Sequence, residues 1–484
     1  MRWSIGQTAY TDNKTYINGC FMEGRLADNP AGASRANEQW SSRLSFIYSI
    51  GAAAIGLGTL WRFPYVAGAN GGGAFVILYA LFVVAICVPL MIAEMAIGRR
   101  GHGSVMASVD AAIAASGGSR GWRVVGLLGL LIPFFGLSYY SIVAGWAIDY
   151  SVLSVTQGFA GFDAERSRTA FGALTASPVR GGLLQLGFIM ATAAVVGLGV
   201  QRGIETVSRI KMIALFAILI GLVIYNAITI GLMPSAVFLL EPDFAALGAT
   251  GALTALGQAL FSTAIGAGVL MTYSAYLPAN ASLPRSSFAL AGGVIVVALL
   301  TGFAIFPAVL AYGLKPTEGP NLIFVTLPVV FGQMAGGRII AIFFFGLIAL
   351  GAFTTAVGML EPVVARLREK LPLGRAPLAV GAGLAIWLIG LPSLLSFNIL
   401  SDVHPLAAFG LEKETAFDLL DFTIANLMLP ASALMLALFV GWRCRAIVGP
   451  GDTGLGPRGF RLWALIIRYV APLAIFGLAI HLLG

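Results

Sequence analysis

Charge is scarce in this chain: 10% of its 484 residues are Asp, Glu, Lys or Arg, while 58% are hydrophobic and mean hydropathy is +0.90. A soluble domain, with about 25% charged residues, is excluded by that composition. Runs of alternating apolar and polar residues are also missing, so a transmembrane barrel is not indicated. Backbone groups in lipid must then pair within helices. Cysteine is rare, and Cys20, Cys87 and Cys444 fall in different elements without ligand spacing, which argues against a disulfide framework or a metal centre. The three histidines, His102, His404 and His481, are scattered, and neither His-Glu-x-x-His nor Gly-x-Ser-x-Gly occurs. No catalytic residue is therefore expected, and an intramembrane enzyme finds no support. No basic cluster with interleaved aromatics points to nucleic acid. The first residues lack a signal-peptide core, being polar through Asn29 and Pro30 to Gln39.

What the chain does have is long apolar runs. Stretches of roughly 20 apolar residues, enough to cross a bilayer as helices, begin near Leu44, Phe75, Val124, Leu183, Met212, Leu253, Phe288, Ile339, Leu378, Phe417 and Leu462. An all-α polytopic membrane protein of about eleven spans is expected, in which residues 1–39 are a mobile cytoplasmic tail and 40–484 the membrane domain. Met22 is an alternative start. With the N-terminus cytoplasmic, that side collects Arg99, Arg100, Arg120, Arg123, Arg202, Arg209, Lys211, Arg285, Arg366, Arg368, Lys370, Arg375, Arg443, Arg445, Arg458 and Arg461. Topology thus accounts for the net charge of +8. The polar loops near Phe159 to Arg180 and Leu314 to Arg338 are long enough for short helices only.

Two spans carry a central pair of glycines, Gly56 and Gly58 in the first and Gly266 and Gly268 in the sixth. Small residues commonly serve close helix packing. Here each pair sits beside hydroxyls, Thr59 in one and Ser262 and Thr263 in the other, at the start of successive five-span halves (about 43–232 and 250–442, then a last helix about 462–483). Interrupted helices in corresponding positions point to an inverted-repeat transporter with its site at the midplane. A break frees N–H and C=O groups that ligands can satisfy, cations at the carbonyl end and carboxylates at the N–H end.

Trp40-Ser-Ser-Arg43, Gly51-Ala-Ala-Ala-Ile-Gly-Leu-Gly-Thr-Leu-Trp-Arg-Phe-Pro64, Asn70-Gly-Gly-Gly-Ala-Phe75 and Pro89-Leu-Met-Ile-Ala-Glu94 with Gly98-Arg99 resemble the neurotransmitter:sodium symporter family. The likeness continues at Pro133, Tyr139-Tyr140, Gln258-Ala-Leu-Phe261, Thr354-Thr355, Glu361-Pro362, Asp418 and Asp421-Phe422, and favours the family's bacterial amino-acid branch. It implies one sodium site from the carbonyls of Ala52, Ile55 and Gly351 with the hydroxyls of Thr354 and Thr355. A second sodium set falls on Ala54, Thr59, Ser262 and Val294. Valine cannot coordinate, so this second site is expected to be weakened or absent. Ala298 lacks the acid or hydroxyl that balances charge or holds chloride, while Tyr79, Gln258 and Ser262 of that cluster remain, and chloride dependence loses support accordingly.

By the same resemblance, the substrate pocket is framed by Ala53, Ala54, Leu57, Gly58, Gly136, Tyr140, Phe261, Ser262, Ala264, Ala267, Thr355 and Met359, with Tyr140 on a substrate carboxylate. Gly56 stands where amine-carrying members have an aspartate, which favours a zwitterionic amino acid. Gly136, Ala264 and Ala267 leave room for a large apolar or aromatic side chain unless Met359 refills it. Arg62, inside a span, needs a partner, and the resemblance supplies Asp421 as the other half of an outer gate closed over by Tyr140 and Phe261. Trp40, Tyr276 and Glu369 form the inner latch, with Asn37 at the expected arginine position and Arg35 as a substitute. Glu94 pairs either with Arg99 or Arg100, or with freed N–H groups of the sixth helix.

The implied activity is sodium-coupled symport of an amino acid by alternating access in the plasma (inner) membrane. A non-transporting sodium and amino-acid sensor on the same fold is the alternative. Gates on both sides disfavour a channel. Beyond the substrate and the lipid bilayer the sequence names no partner, and it sets no oligomeric state.

Overall fold

The computed structural model describes residues 39–278, 281–313, 322–407 and 414–483. The expected tail before Gln39, with Cys20, Met22, Arg35 and Asn37, lies outside the described residues. Among them, ten helices are long and apolar enough to cross a membrane, and a bent pair makes an eleventh span. The pair is α1 (Arg43–Ala54) and α2 (Gly58–Ala69), turned 54° from one another at the predicted glycines. Then come α3 (Gly73–Gly101), α4 (Arg120–Thr156), α5 (Pro178–Gly197), α6 (Val200–Thr229) and α7 (Phe244–Ser262). The short α8 (Val269–Ser274) completes the sixth span after its break. The remaining spans are α9 (Leu283–Ala311), α10 (Gly337–Lys370), α11 (Arg375–Leu395), α12 (Ala416–Ala446) and α13 (Pro457–His481). Short helices at Ala164–Thr175 and Leu322–Gln333 fill the two polar loops.

Most helices begin a few residues before the apolar run that announced them, because polar caps and a first turn precede it. Ser177, Asp243 and Ser282 each accept a first-turn N–H at the start of α5, α7 and α9. The largest shift is in α6, expected near Met212 and starting at Val200. That shift corrects the charge tally: Lys211 is not in a loop but inside α6, with no exposed surface. Its spacing agrees, since Ser208, Lys211, Leu215, Leu219 and Leu222 form one buried stripe at helical periodicity.

Small residues set how closely the spans approach. A Cβ on Gly358 of α10 would come within 2.6 Å of the Ala53 Cβ on α1, and one on Gly390 of α11 within 2.5 Å of the Ser138 carbonyl oxygen on α4. Around α4, Trp146 stacks edge-on against Phe171, Phe324 and Phe397, so both loop helices are tied to the core through aromatic rings. Cys87 and Cys444 are buried free thiols.

Because Gly358 lets α10 lie on α1, Gly358→Leu is expected to destabilise the fold by about 1–3 kcal/mol through overpacking. Thermal unfolding of the purified protein in detergent would show the lowered midpoint, and an unchanged midpoint would contradict the close contact.

Candidate functional site

The site grows out of what the two breaks leave unpaired. At the first, the Ile55 N–H still reaches Gly51 O at 2.8 Å, and regular pairing then stops. Gly56 is required by space: a Cβ there would lie 2.8 Å from the Tyr140 hydroxyl and 2.9 Å from the Thr355 Cβ. Side chains from distant spans meet the freed groups. Leu57 N–H donates to the Tyr140 hydroxyl at 3.3 Å, and Gln258 Nε2 donates to Gly58 O at 2.8 Å. On the carbonyl side, Thr354 Oγ1 donates to Ala52 O at 3.1 Å, and so does Lys211 Nζ at 3.1 Å. Lys211 Nζ also donates to Ile55 O.

The sixth-span break runs from Thr263 to Gly268 between α7 and α8. Gly266 and Gly268 have φ of +81° and +71°, which glycine adopts freely. Ala264 takes φ +51° without that freedom, a strained backbone of the kind that persists at functional sites when its surroundings hold it. Glu94, 1% exposed, accepts from Gly266 N–H at 3.0 Å and Met271 N–H at 3.3 Å, which decides its role in favour of the sixth helix. Ser432 Oγ donates to Gly266 O at 2.7 Å. Thus a carboxylate meets the freed N–H groups of one break, and an ammonium the freed carbonyls of the other.

A cavity of about 70 Å³ lies between the breaks, several times the roughly 10–15 Å³ needed for one water. It brings together Ala53, Ala54, Gly58, Gly136, Tyr140, Phe261, Ala264, Ala267, Thr355 and Met359. Leu57 and Ser262 of the predicted frame stay outside its lining, and Gly56, Ile132, Tyr139, Val269, Ile424 and Leu429 join it. No lining residue is charged. Met359 leans into the room left by Gly136, whose added Cβ would meet the Met359 Cε at 2.7 Å.

The expected ion ligands separate into two groups. Thr354 turns to α1 and also back-bonds to Gly351 O at 3.3 Å, whereas Thr355 faces the cavity and its buried hydroxyl has no hydrogen-bond partner among the described residues. In the second set, Ser262 Oγ accepts from Gln258 Nε2 at 2.9 Å. Thr59 Oγ1, Tyr79 OH and Gln258 Oε1 there are buried and without partners among the described residues. Val294 and Ala298 present only buried apolar surface.

The gates differ from expectation. Arg62 and Asp421 form no ion pair among the described residues. Arg62 donates to Asn426 Oδ1 at 3.4 Å and lies 4.6 Å over the Phe261 ring. At the opposite end Trp40 is buried, donates to Tyr273 O at 2.8 Å and packs on Tyr273 and Tyr276. The Tyr276 hydroxyl donates to Glu361 at 2.7 Å, and Arg375 pairs with the same carboxylate. Glu369 instead accepts from Ser104 N–H at 2.8 Å and pairs with Arg366 at 3.0 Å. Lys211 and the Glu361–Arg375 pair were missed as site residues; the buried stripe of α6 carried the signal for the lysine.

A family model described as "Sodium:neurotransmitter symporter family" matches residues 37–167 and 179–482. The chain belongs to that family. An uncharacterized sodium-dependent transporter of Bacillus subtilis, YhdH, is 37% identical over 92% of this chain and 98% of its own length. One from Haemophilus influenzae is 32% identical over 91% and 97%. Among solved structures, MhsT in complex with L-phenylalanine is 36% identical, covers 92% of this chain and 99% of its own, and superposes with a TM-score of 0.82. In this symporter fold, α1 to α6 and α7 to α12 are the two five-span halves of an inverted repeat, each opening with an interrupted helix. The protein is a transporter, not an enzyme.

Glu94 fills the N–H end of the sixth-span break, and replacing it by leucine leaves two buried donors unpaired, at about 1–3 kcal/mol each. Glu94→Leu is expected to lower the thermal midpoint more than Glu94→Gln, which keeps an acceptor. Equal midpoints would contradict this role.

Proposed function

We propose that the chain carries a zwitterionic amino acid with a large apolar or aromatic side chain across the plasma (inner) membrane by sodium-coupled alternating access. The observation that carries this reading is the uncharged cavity between the two breaks, lined by the hydroxyls of Tyr139, Tyr140 and Thr355 and otherwise by apolar residues. The Tyr140 hydroxyl, already bonded to the Leu57 N–H, is placed to donate its proton to a substrate carboxylate. Freed carbonyls of the breaks accept from the amine. With Gly56 in place of an acid, no fixed negative charge calls for a substrate of net positive charge. Among the apolar lining residues Gly136, Ala264 and Ala267 are small, and Met359 is the adjustable wall, since its unbranched thioether repacks at low cost. The relative solved with L-phenylalanine supports a substrate of that size.

Substrate binding would draw Phe261 and Tyr140 together and bring Arg62 from Asn426 toward Asp421. The Trp40 and Tyr276 end, sealed by Glu361 and Arg375, would open afterwards. In this reading the N-terminus faces the cytoplasm, which the arginines at that end of the spans support. For coupling, the hydroxyls of Thr59 and Ser262 and the Ala54 carbonyl remain as sodium ligands, and the orphaned Thr59 hydroxyl supports them.

Uptake into proteoliposomes across a panel of amino acids, with and without an inward sodium gradient, tests the proposal. Sodium-stimulated uptake favouring large apolar side chains is expected; no uptake of any amino acid would overturn it. Tyr140→Phe, which removes one hydrogen bond worth about 1.5 kcal/mol to a charged group, should weaken apparent substrate affinity about tenfold.

A further inference from the structure

The carbonyls that end α1 already meet a basic amine, and it belongs to the chain. Lys211 projects from α6 with no exposed surface, and its Nζ donates to Ala52 O and Ile55 O. An ammonium is a compact single positive charge with three donors and no acceptor. A sodium ion at this place would present the same charge to the same oxygen lone pairs, so the two compete for one position. The Thr354 hydroxyl reaches Ala52 O at 3.1 Å, the oxygen that also takes Lys211, besides the Leu350 and Gly351 carbonyls of its own helix, and Thr355 lines the substrate cavity instead. The carboxylate on the same helix, Glu205, is occupied by Ser41, whose N–H it accepts at 3.1 Å. Glu94 is held by Gly266 and Met271. Among the described residues, carbonyl dipoles therefore hold Lys211, as they would hold a dehydrated ion, in keeping with how intramembrane charges pair with backbone carbonyls.

We infer that Lys211 is a tethered cation that replaces the sodium ion expected at Ala52, Ile55, Gly351, Thr354 and Thr355, locking the α1 break to α6 without a free ion. Resting on the symport reading, it follows that sodium coupling falls on Ala54, Thr59 and Ser262 alone. This inverts the expectation from sequence, in which the first set was intact and the second degraded. Thr59, whose buried hydroxyl has no partner among the described residues, keeps an oxygen available for an ion there.

Equilibrium binding of radioactive sodium to the purified full-length chain, with potassium as the balancing cation and phenylalanine present, tests the inference. Wild type is expected to bind at most one sodium per chain. Lys211→Met, which keeps length and apolar bulk but removes the charge, is expected to bind one more, and Lys211→Met/Thr354→Ala to lose that gain. Two sodium ions per wild-type chain would overturn the inference, as would a folded Lys211→Met that binds no more than wild type. If Lys211→Met does not fold, Thr354→Ala in the otherwise wild-type chain decides: unchanged sodium binding supports the inference, and loss of the bound ion overturns it, because an ion held by the first set would need the Thr354 hydroxyl. The readout is binding rather than uptake, so a chain that fails to transport refutes the symport reading and leaves the ion count standing.

Discussion

Everything near the site depends on unpaired backbone. A helix interrupted inside a bilayer leaves N–H and C=O groups that water cannot reach, and each costs several kcal/mol unless something else meets it. The first-span break is met by Tyr140 from α4, Lys211 from α6, Gln258 from α7 and Thr354 from α10. The sixth-span break is met by Glu94 from α3 and Ser432 from α12. Six spans are thereby tied to two short stretches of irregular chain. The partners are sorted by sign, with the ammonium on carbonyls and the carboxylate on N–H groups, as the partial charges of helix ends require.

Much of this is legible in the sequence. The glycine pairs located both breaks, since no other residue combines the positive φ at Gly266 and Gly268 with the close approach of Tyr140 and Thr355 at Gly56. The small residues Gly136, Ala264 and Ala267 marked the cavity because they leave volume that a packed core would fill. What escaped reading was mostly charge. Lys211 looked like a loop residue because a hydropathy run begins only where polar residues stop, whereas α6 begins at Val200. Periodicity, which places Lys211 with Leu215, Leu219 and Leu222, would have been the better guide than the run. A charge inside a span needs compensation, and the family resemblance points to Asp421 as the partner of Arg62. Phe261 and Asn426 supply that compensation here through the ring face and an amide oxygen.

A tethered ammonium and a free ion differ in what they can do during a transport cycle. Both satisfy the carbonyl oxygens of Ala52 and Ile55 and fix α1 against its neighbours, so the structural part of the ion's work survives the exchange. A free ion also leaves on the far side, and its departure couples the cycle to a gradient. Lys211 cannot leave, because its stem is part of α6. A chain holding such a cation spends no gradient at that position, and opening of the inner end must break the lysine's bonds without any ion being diluted into the cytoplasm. The driving force for accumulation then rests on whatever binds beside Thr59, where an unpartnered hydroxyl is one peptide away from the Gly58 carbonyl held by Gln258.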